Sequence, residues 1–220
     1  SESRAFEGVL PLDDSIEAET SEGVTVDVNV QTVLGGRVTL SLNQAAYLTH
    51  LDDALVPAPG TGDGLLRYTN ASGSIVTRGL ETNARFGLDD FKLFLGYVYL
   101  DATEAAADGR QSLALTPAHK TYSVLVWEQH GRGRIGLEAY YTGPQTLPDG
   151  ERTPGYWVTG IMGQWRVGPA RLFLNFENLL DTQQTNYSPV VVGPRAAPTF
   201  AEIWAPTDGF IVNGGVKLDL

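Results

Sequence analysis

VTVDVNVQTVLGGRVTLSLN, residues 24–43, decides the fold. Val24, Val26, Val28 and Val30 share one side of an extended chain, while Thr25, Asp27, Asn29 and Gln31 share the other. Only a strand, whose side chains point alternately to opposite faces, gives such a segment one apolar side. Gly35-Gly36 then supplies two residues that tolerate positive φ, as a tight hairpin turn requires. Val38, Leu40 and Leu42 resume the pattern against Thr39, Ser41 and Asn43. The stretch reads as an antiparallel hairpin with one apolar and one polar face.

The same rhythm continues along the chain. Leu80, Ala84, Phe86 and Leu88 oppose Glu81, Asn83, Arg85 and Gly87. Phe91, Leu93, Leu95, Tyr97 and Tyr99 share a face, as do Ile135, Leu137, Ala139 and Tyr141. Leu172, Leu174 and Phe176 oppose Arg171, Asn175 and Glu177, and Val212, Val216, Leu218 and Leu220 oppose Asn213, Lys217 and Asp219. Two aromatic segments near 120–129 and 156–167 alternate less cleanly. About nine strands are expected in all.

The connections sort themselves. Those at 35–36, 89–90, 130–133 and 168–169 are short, and those at about 53–73, 104–118, 147–155 and 182–208 are long. Strict alternation puts every tight turn of an up-and-down sheet at one end and every long loop at the other. A sandwich or Greek key gives no reason for such sorting. An outer-membrane barrel does, with short periplasmic turns and longer outer loops. Tyr99, Tyr141, Trp157 and Trp165 near strand ends match the aromatic girdles of such barrels.

Composition narrows the functions. With 26 acidic and 15 basic residues, the net charge of −11 argues against binding nucleic acid by bulk charge. No apolar run approaches the ~18 residues of a membrane helix, although transmembrane strands need only about 9–11 alternating residues. No cysteine is present, so disulfides and thiolate metal sites are excluded. At 42% hydrophobic and 10% aromatic the chain is not disordered. Nine strands would leave open edges, and bacterial single-chain barrels use even numbers. The expectation is therefore one structural unit over residues 1–220, a part of a larger barrel whose missing strands precede Ser1. A soluble all-β carbohydrate-binding or hydrolytic domain, with the apolar face turned inward, is the alternative; a passive porin-like channel is a third reading.

Five stretches resemble the C-terminal half of a TonB-dependent outer-membrane receptor. They are LDDSIEAETSEGVTVDV (12–28), GSIVTRGLETNARF (73–86), LTPAHKTYSVLVWE (115–128), NFENLLDTQQTNY (175–187) and the terminal GFIVNGGVKLDL (209–220). Two positions depart from that pattern: Gln184, where many members carry Tyr, and Leu220, where a terminal aromatic is commoner. The resemblance implies a 22-stranded barrel of which this chain forms the last nine strands. It implies a plug domain and N-terminal barrel strands outside these residues, and TonB bound through a segment ahead of the plug. It also implies contact with outer-membrane lipid and TonB-coupled import of a scarce small ligand across the bacterial outer membrane. Siderophores, cobalamin, oligosaccharides and peptides are the family's cargo classes. No catalysis, cofactor, resident metal or nucleic-acid partner is expected.

The candidate residues follow from the faces and loops. Glu81, Arg85, Glu138, Arg171 and Glu177, with Gln164, Arg166, Asn175 and Lys217, fall on the polar face and would line a hydrated lumen. Tyr187, Phe200 and Trp204 stand among prolines in the last long loop, either to meet a ligand or to pack within the loop. The acidic pairs Asp13-Asp14, Asp52-Asp53 and Asp89-Asp90 place neighbours on opposite strand faces or in turns, a poor acid–base geometry. His50, His119 and His130 lack the spacing of metal ligands. No nucleophile elbow or phosphate loop occurs.

Overall fold

The computed structural model describes residues 16–59 and 66–218. The Asp13-Asp14 pair, Asp219 and Leu220 lie outside them. Among the described residues fourteen strands follow in order: β1 (Thr20–Leu34), β2 (Val38–Asp52), β3 (Leu55–Pro59), β4 (Leu66–Asn70), β5 (Ile75–Leu88), β6 (Phe91–Ala106), β7 (Gly109–Ser112), β8 (His119–Gln129), β9 (Gly133–Thr142), β10 (Tyr156–Val167), β11 (Ala170–Glu177), β12 (Val191–Val192), β13 (Thr199–Phe200) and β14 (Ile211–Leu218). Nine of them form one antiparallel up-and-down path in the order β1-β2-β5-β6-β8-β9-β10-β11-β14, with β7 added alongside β6. The path does not close: β1 and β14 each have a single neighbour. The remaining strands form the hairpins β3–β4 and β12–β13 inside two of the long connections.

The first wall strands outrun their sequence pattern. β1 and β2 each have 15 residues, β5 has 14 and β6 has 16, against the ~9–11 that cross a bilayer. The excess lies at the long-loop end of β2, β5 and β6, where alternation fades into mixed residues such as QAAYLTHLD and DATEAA.

Contacts divide the chain into two compact units: residues 1–25, 47–79 and 101–113, and residues 26–46, 80–100 and 114–220. In the first, Asn70 is the clamp. Its Nδ2 donates to the carbonyls of Glu17 and Asp53, and its Oδ1 accepts the Glu17 N–H at 2.8 Å. Glu19 accepts the Leu55 N–H, and Arg78 pairs with Asp101 at 2.7 Å.

In the second unit, register fixes the faces. Leu125 lies opposite Leu93 and Leu137, and Ile161 lies opposite Leu137 and Phe176. These residues share one face with Trp127, Ile135, Trp157, Trp165, Leu172 and Leu174. That face is open: Leu137 is 45% exposed, Trp157 44% and Leu174 46%. Among the described residues the buried apolar side chains are only Ala54, Ala102, Pro117, Trp204 and Ala205, so no hydrophobic core lies beneath the sheet. A soluble half-buried sheet would hide its apolar face; this one presents it outward.

Two aromatic belts bound the apolar band. At the long-loop end, Tyr141 packs on Trp157 at 5.0 Å, and His119 packs between Tyr97 and Tyr99. At the short-turn end Trp127 stacks on Trp165 at 6.0 Å. Trp157 and Trp165 stand on one strand about 26 Å apart along its axis. At a barrel tilt of ~35–45° this projects to roughly 20 Å, close to the ~25 Å apolar band of outer-membrane barrels. The fold is an antiparallel transmembrane β-barrel portion.

Candidate functional site

The opposite, polar face of the second unit carries several separate hydrogen-bonded groups. Glu81 accepts from Asn83 Nδ2 at 2.9 Å, and Asn83 Oδ1 accepts from the Tyr122 hydroxyl at 2.9 Å. Tyr122 lies opposite Tyr140 in register, and the Tyr140 hydroxyl donates to Glu138 at 3.0 Å. Glu138 in turn lies opposite Gly160. The Arg85 guanidinium sits 5.4 Å from the Phe94 ring centre, a cation–π contact. Glu177 accepts from Asn175 at 2.6 Å and from Asn213 at 2.9 Å. Arg171 stands opposite Arg166 and Lys217 near the short turns. All five polar residues expected on this side therefore lie on one face.

One glycine makes this surface possible. Gly96 faces Tyr122 across β6–β8, and the tyrosine ring occupies the space that any Cβ at position 96 would need. The ring can then lie flat against the wall and reach Asn83.

The last long connection builds a second region. Gln184, at 0% exposure, is the most deeply buried side chain of the described residues. Its Oε1 accepts the N–H groups of Trp204 at 2.8 Å and Ala205 at 3.3 Å, and its Nε2 donates to the Glu202 carbonyl at 2.7 Å. Its backbone N–H donates to the Pro206 carbonyl. Trp204 is buried between the Tyr156 and Tyr187 rings, and its carbonyl accepts from Gln145 Nε2 at 2.9 Å. Of the three loop aromatics, Trp204 thus packs inside the loop, whereas Tyr187 and Phe200 are exposed, Phe200 at 74%. Phe200 borders a cavity of about 390 Å3 together with Leu147, Glu151, Val192, Glu202 and the Trp204 edge.

The Asn178-Leu-Leu-Asp181 segment fastens this loop to the wall. Asn178 and Asp181 both take positive φ, near +50°, a conformation that Asn and Asp adopt more readily than most residues. Asn178 holds both backbone groups of Thr182 and the Asp208 carbonyl. The Thr182 hydroxyl donates to the Trp157 carbonyl at 2.6 Å. Asp181 accepts from Gln183 Nε2 and from the Phe210 N–H, each at 2.9 Å, and these bonds lower its carboxyl below the ordinary value.

Sequence reading missed Gln184 as a hub, noting it only as a departure from a pattern. The available signal was an amide three residues past Asp181 in a proline-rich loop that still has to satisfy its backbone. The acidic pairs assemble no catalytic geometry. Asp89 forms a tight turn with positive φ, Asp53 also takes positive φ, and Asp52 pairs with His50 at 3.2 Å on the surface. Among the described residues, no group of three or more His, Cys, Asp or Glu residues is placed to hold a metal ion.

Comparison with known proteins agrees with this geometry. The sequence matches the family model "TonB dependent receptor-like, beta-barrel" over residues 7–179, well over half of the chain. No curated protein matches the sequence. Among solved structures, the chain is similar to the iron transporter FrpB of Neisseria meningitidis (16% identity, TM-score 0.62, covering 94% of this chain and 32% of that one). It is similar also to the ferric-catecholate import receptor Fiu of E. coli K12 (24% identity, TM-score 0.52, covering 74% and 24%). The copper transporter OprC is a third (19% identity, TM-score 0.58, covering 77% and 26%). The chain thus spans about a quarter to a third of the length of these structures. Open apolar face, paired aromatic belts, sorted loops and family match coincide, and the chain belongs to the TonB-dependent receptor β-barrel family.

Proposed function

We propose that this chain is the C-terminal wall of a bacterial outer-membrane receptor that imports a scarce small ligand by TonB-coupled active transport, without covalent chemistry. The observation that carries the reading is the outward apolar band between two aromatic belts. Such a surface is stable against lipid and costly against water. In this reading the outer loops, with Phe200 and Tyr187 exposed, capture the ligand. The polar face lines the lumen, which a plug domain fills, and TonB acts through a segment ahead of that plug. Glu81, Glu138 and Glu177 present carboxylates held by neutral amide and phenol donors, leaving their charge for a cationic group on the plug or ligand. Iron and copper are named for the transporters it resembles; the residues here leave the ligand class open between siderophore, cobalamin, oligosaccharide and peptide.

The test is an immunoblot of outer-membrane fractions with an antibody against residues 182–208, comparing boiled and unboiled samples. A heat-modifiable band far larger than this chain is expected, together with ligand uptake that stops when TonB is removed. A small soluble band unchanged by boiling would overturn the reading.

A further inference from the structure

Two connections of the second unit, 143–155 and 182–208, close around one hollow. The first is braced by the Thr146–Arg152 bridge and by the Asp149 carboxylate, which accepts the Glu151 N–H at 2.9 Å. Gln145 ties it to the Trp204 carbonyl of the second. There the β12–β13 hairpin, with Gly193 at positive φ, carries Phe200 at the rim, 74% exposed. The hollow measures about 390 Å3, the scale of a small-ligand pocket. Its lining is apolar and acidic: Phe200 and the Trp204 edge supply aromatic surface, and Asp149, Glu151 and Glu202 supply three carboxylates. No Lys, Arg or His lines it. Arg152 and Arg195, the basic residues of the two connections, form no ion pair with these carboxylates among the described residues. The Gln184 amide in the same lining is engaged with backbone groups. The polar groups left for a guest are therefore carboxylates.

We propose that this hollow selects an organic cation, an ammonium, amidinium or guanidinium head on an apolar body; as a statement about the captured ligand, this rests on the receptor reading above. A carboxylate accepts charge-assisted hydrogen bonds from such a head, two at once from a planar fork of donors. An aromatic face attracts the same charge, and Phe200 and Trp204 also receive the apolar body. Three charges of one sign around a cleft focus their field on it, and the net charge of −11 works in the same direction. A bare metal ion suits the lining less well. Among the described residues no three acidic or imidazole groups converge closely enough to hold one. Carboxylates spread around a hollow match a charge carried on a larger, flat group. An anionic guest would meet three like charges and no counter-charge in the lining.

The experiment is equilibrium dialysis of the complete receptor in detergent against three probes of nearly one shape: benzamidinium, benzamide and benzoate. Benzamidinium should bind roughly tenfold or more tightly than benzamide, and benzoate more weakly than either. Added salt should weaken benzamidinium alone. Glu151→Gln with Glu202→Gln should abolish the preference for benzamidinium over benzamide, whereas Phe200→Ala should weaken both. These substitutions spare the fold, because neither glutamate carboxylate accepts a hydrogen bond among the described residues and Phe200 is exposed. Competition then separates two sources of the cation. Displacement of benzamidinium by less of a capped phenylalanyl-arginine dipeptide than of free agmatine assigns a basic peptide, and the reverse order assigns a small amine. Displacement by neither overturns the inference. Equal binding of the three probes, or a preference that survives the double substitution, also overturns it and leaves the receptor reading standing. Charge-selective binding without TonB-dependent uptake overturns the receptor reading and leaves the hollow's selection of a cation standing.

Discussion

The wall and its last outer loop solve opposite problems with the same chain. From β8 to β11 the wall exposes its apolar side chains and turns its polar ones inward, so its stability depends on what lies outside it. The 178–210 connection does the reverse: at its centre is a polar side chain, Gln184, buried at 0% exposure. A strand in a sheet satisfies its backbone through its neighbours, but an irregular loop must find partners one group at a time. Gln184 serves three backbone groups through its side chain, which lets Trp204 pack without a conventional core beneath it. The wall is thus specified by pattern and the loop by individual hydrogen bonds.

Substitution at Gln184 should break that contrast most sharply. Gln184→Leu keeps the volume but orphans the N–H groups of Trp204 and Ala205 and the Glu202 carbonyl. Each buried orphan costs about 1–3 kcal/mol, so a loss of about 3 kcal/mol or more is expected from the loop, with the wall unaffected. Hydrogen exchange at the Trp204 amide and protease cleavage within 182–208 should rise together, while heat-modifiability stays intact. Unchanged exchange at Trp204 would show that the loop is held by packing instead.

That asymmetry explains what could be read from sequence. The nine wall strands, their four tight turns and the placement of Glu81, Arg85, Glu138, Arg171 and Glu177 follow from period two and from glycine or aspartate at turns. The loop-end extensions of β2, β5 and β6 do not, because their residues no longer alternate. The hairpin β3–β4 hides because Pro57 and Pro59 interrupt its first strand, a placement that short edge strands tolerate. Asn70, Asn178 and Gln184 are illegible for a deeper reason. Each bonds backbone groups up to 53 positions away, and no local pattern encodes such a partner.

On the wall, the largest effect should come from the apolar side. Leu137→Arg puts a charge into the middle of the band and should cost about 2–4 kcal/mol, as for cations at a bilayer midplane. The neighbouring Glu138→Gln, one residue on but on the polar face, should leave assembly unchanged. The fraction of receptor migrating as the folded, unboiled form checks both. Equal effects would remove the distinction between the two faces.

Gly96→Ala comes next. The new methyl group must displace the Tyr122 ring and separate its hydroxyl from Asn83, at an overpacking cost of about 1–3 kcal/mol. Gly96→Ala combined with Tyr122→Ala should recover part of that loss in thermal melts, because the second change vacates the space.

Acid should act on the loop before the wall. The Asp181 carboxyl is held below its ordinary value by Gln183 and the Phe210 N–H, so its stabilising contribution is present above the unfolded pKa of about 3.9. It is lost as pH falls through the lower, folded value. Protection of the Phe210 amide, taken relative to its intrinsic exchange rate at each pH, should therefore fall below about pH 4. Asp181→Asn, which keeps an oxygen acceptor and tolerates the positive φ, should flatten that dependence.

The smallest effect belongs to the most visible surface contact. Arg37 and Asp89 form an ion pair at 3.0 Å between the first two tight turns, with side chains 72% and 69% exposed. At such exposure water screens the attraction, and Arg37→Ala should change stability by less than about 0.5 kcal/mol. The turns themselves rest on backbone conformation: Gly35, Gly36 and Asp89 all take positive φ. Gly36→Val, which a β-branched residue can fill only with strain, should therefore cost more than Arg37→Ala next to it. Thermal melts of the two variants in one detergent decide the order. The reverse order would mean that charge across the strands, and not turn geometry, sets the register of the short-turn end.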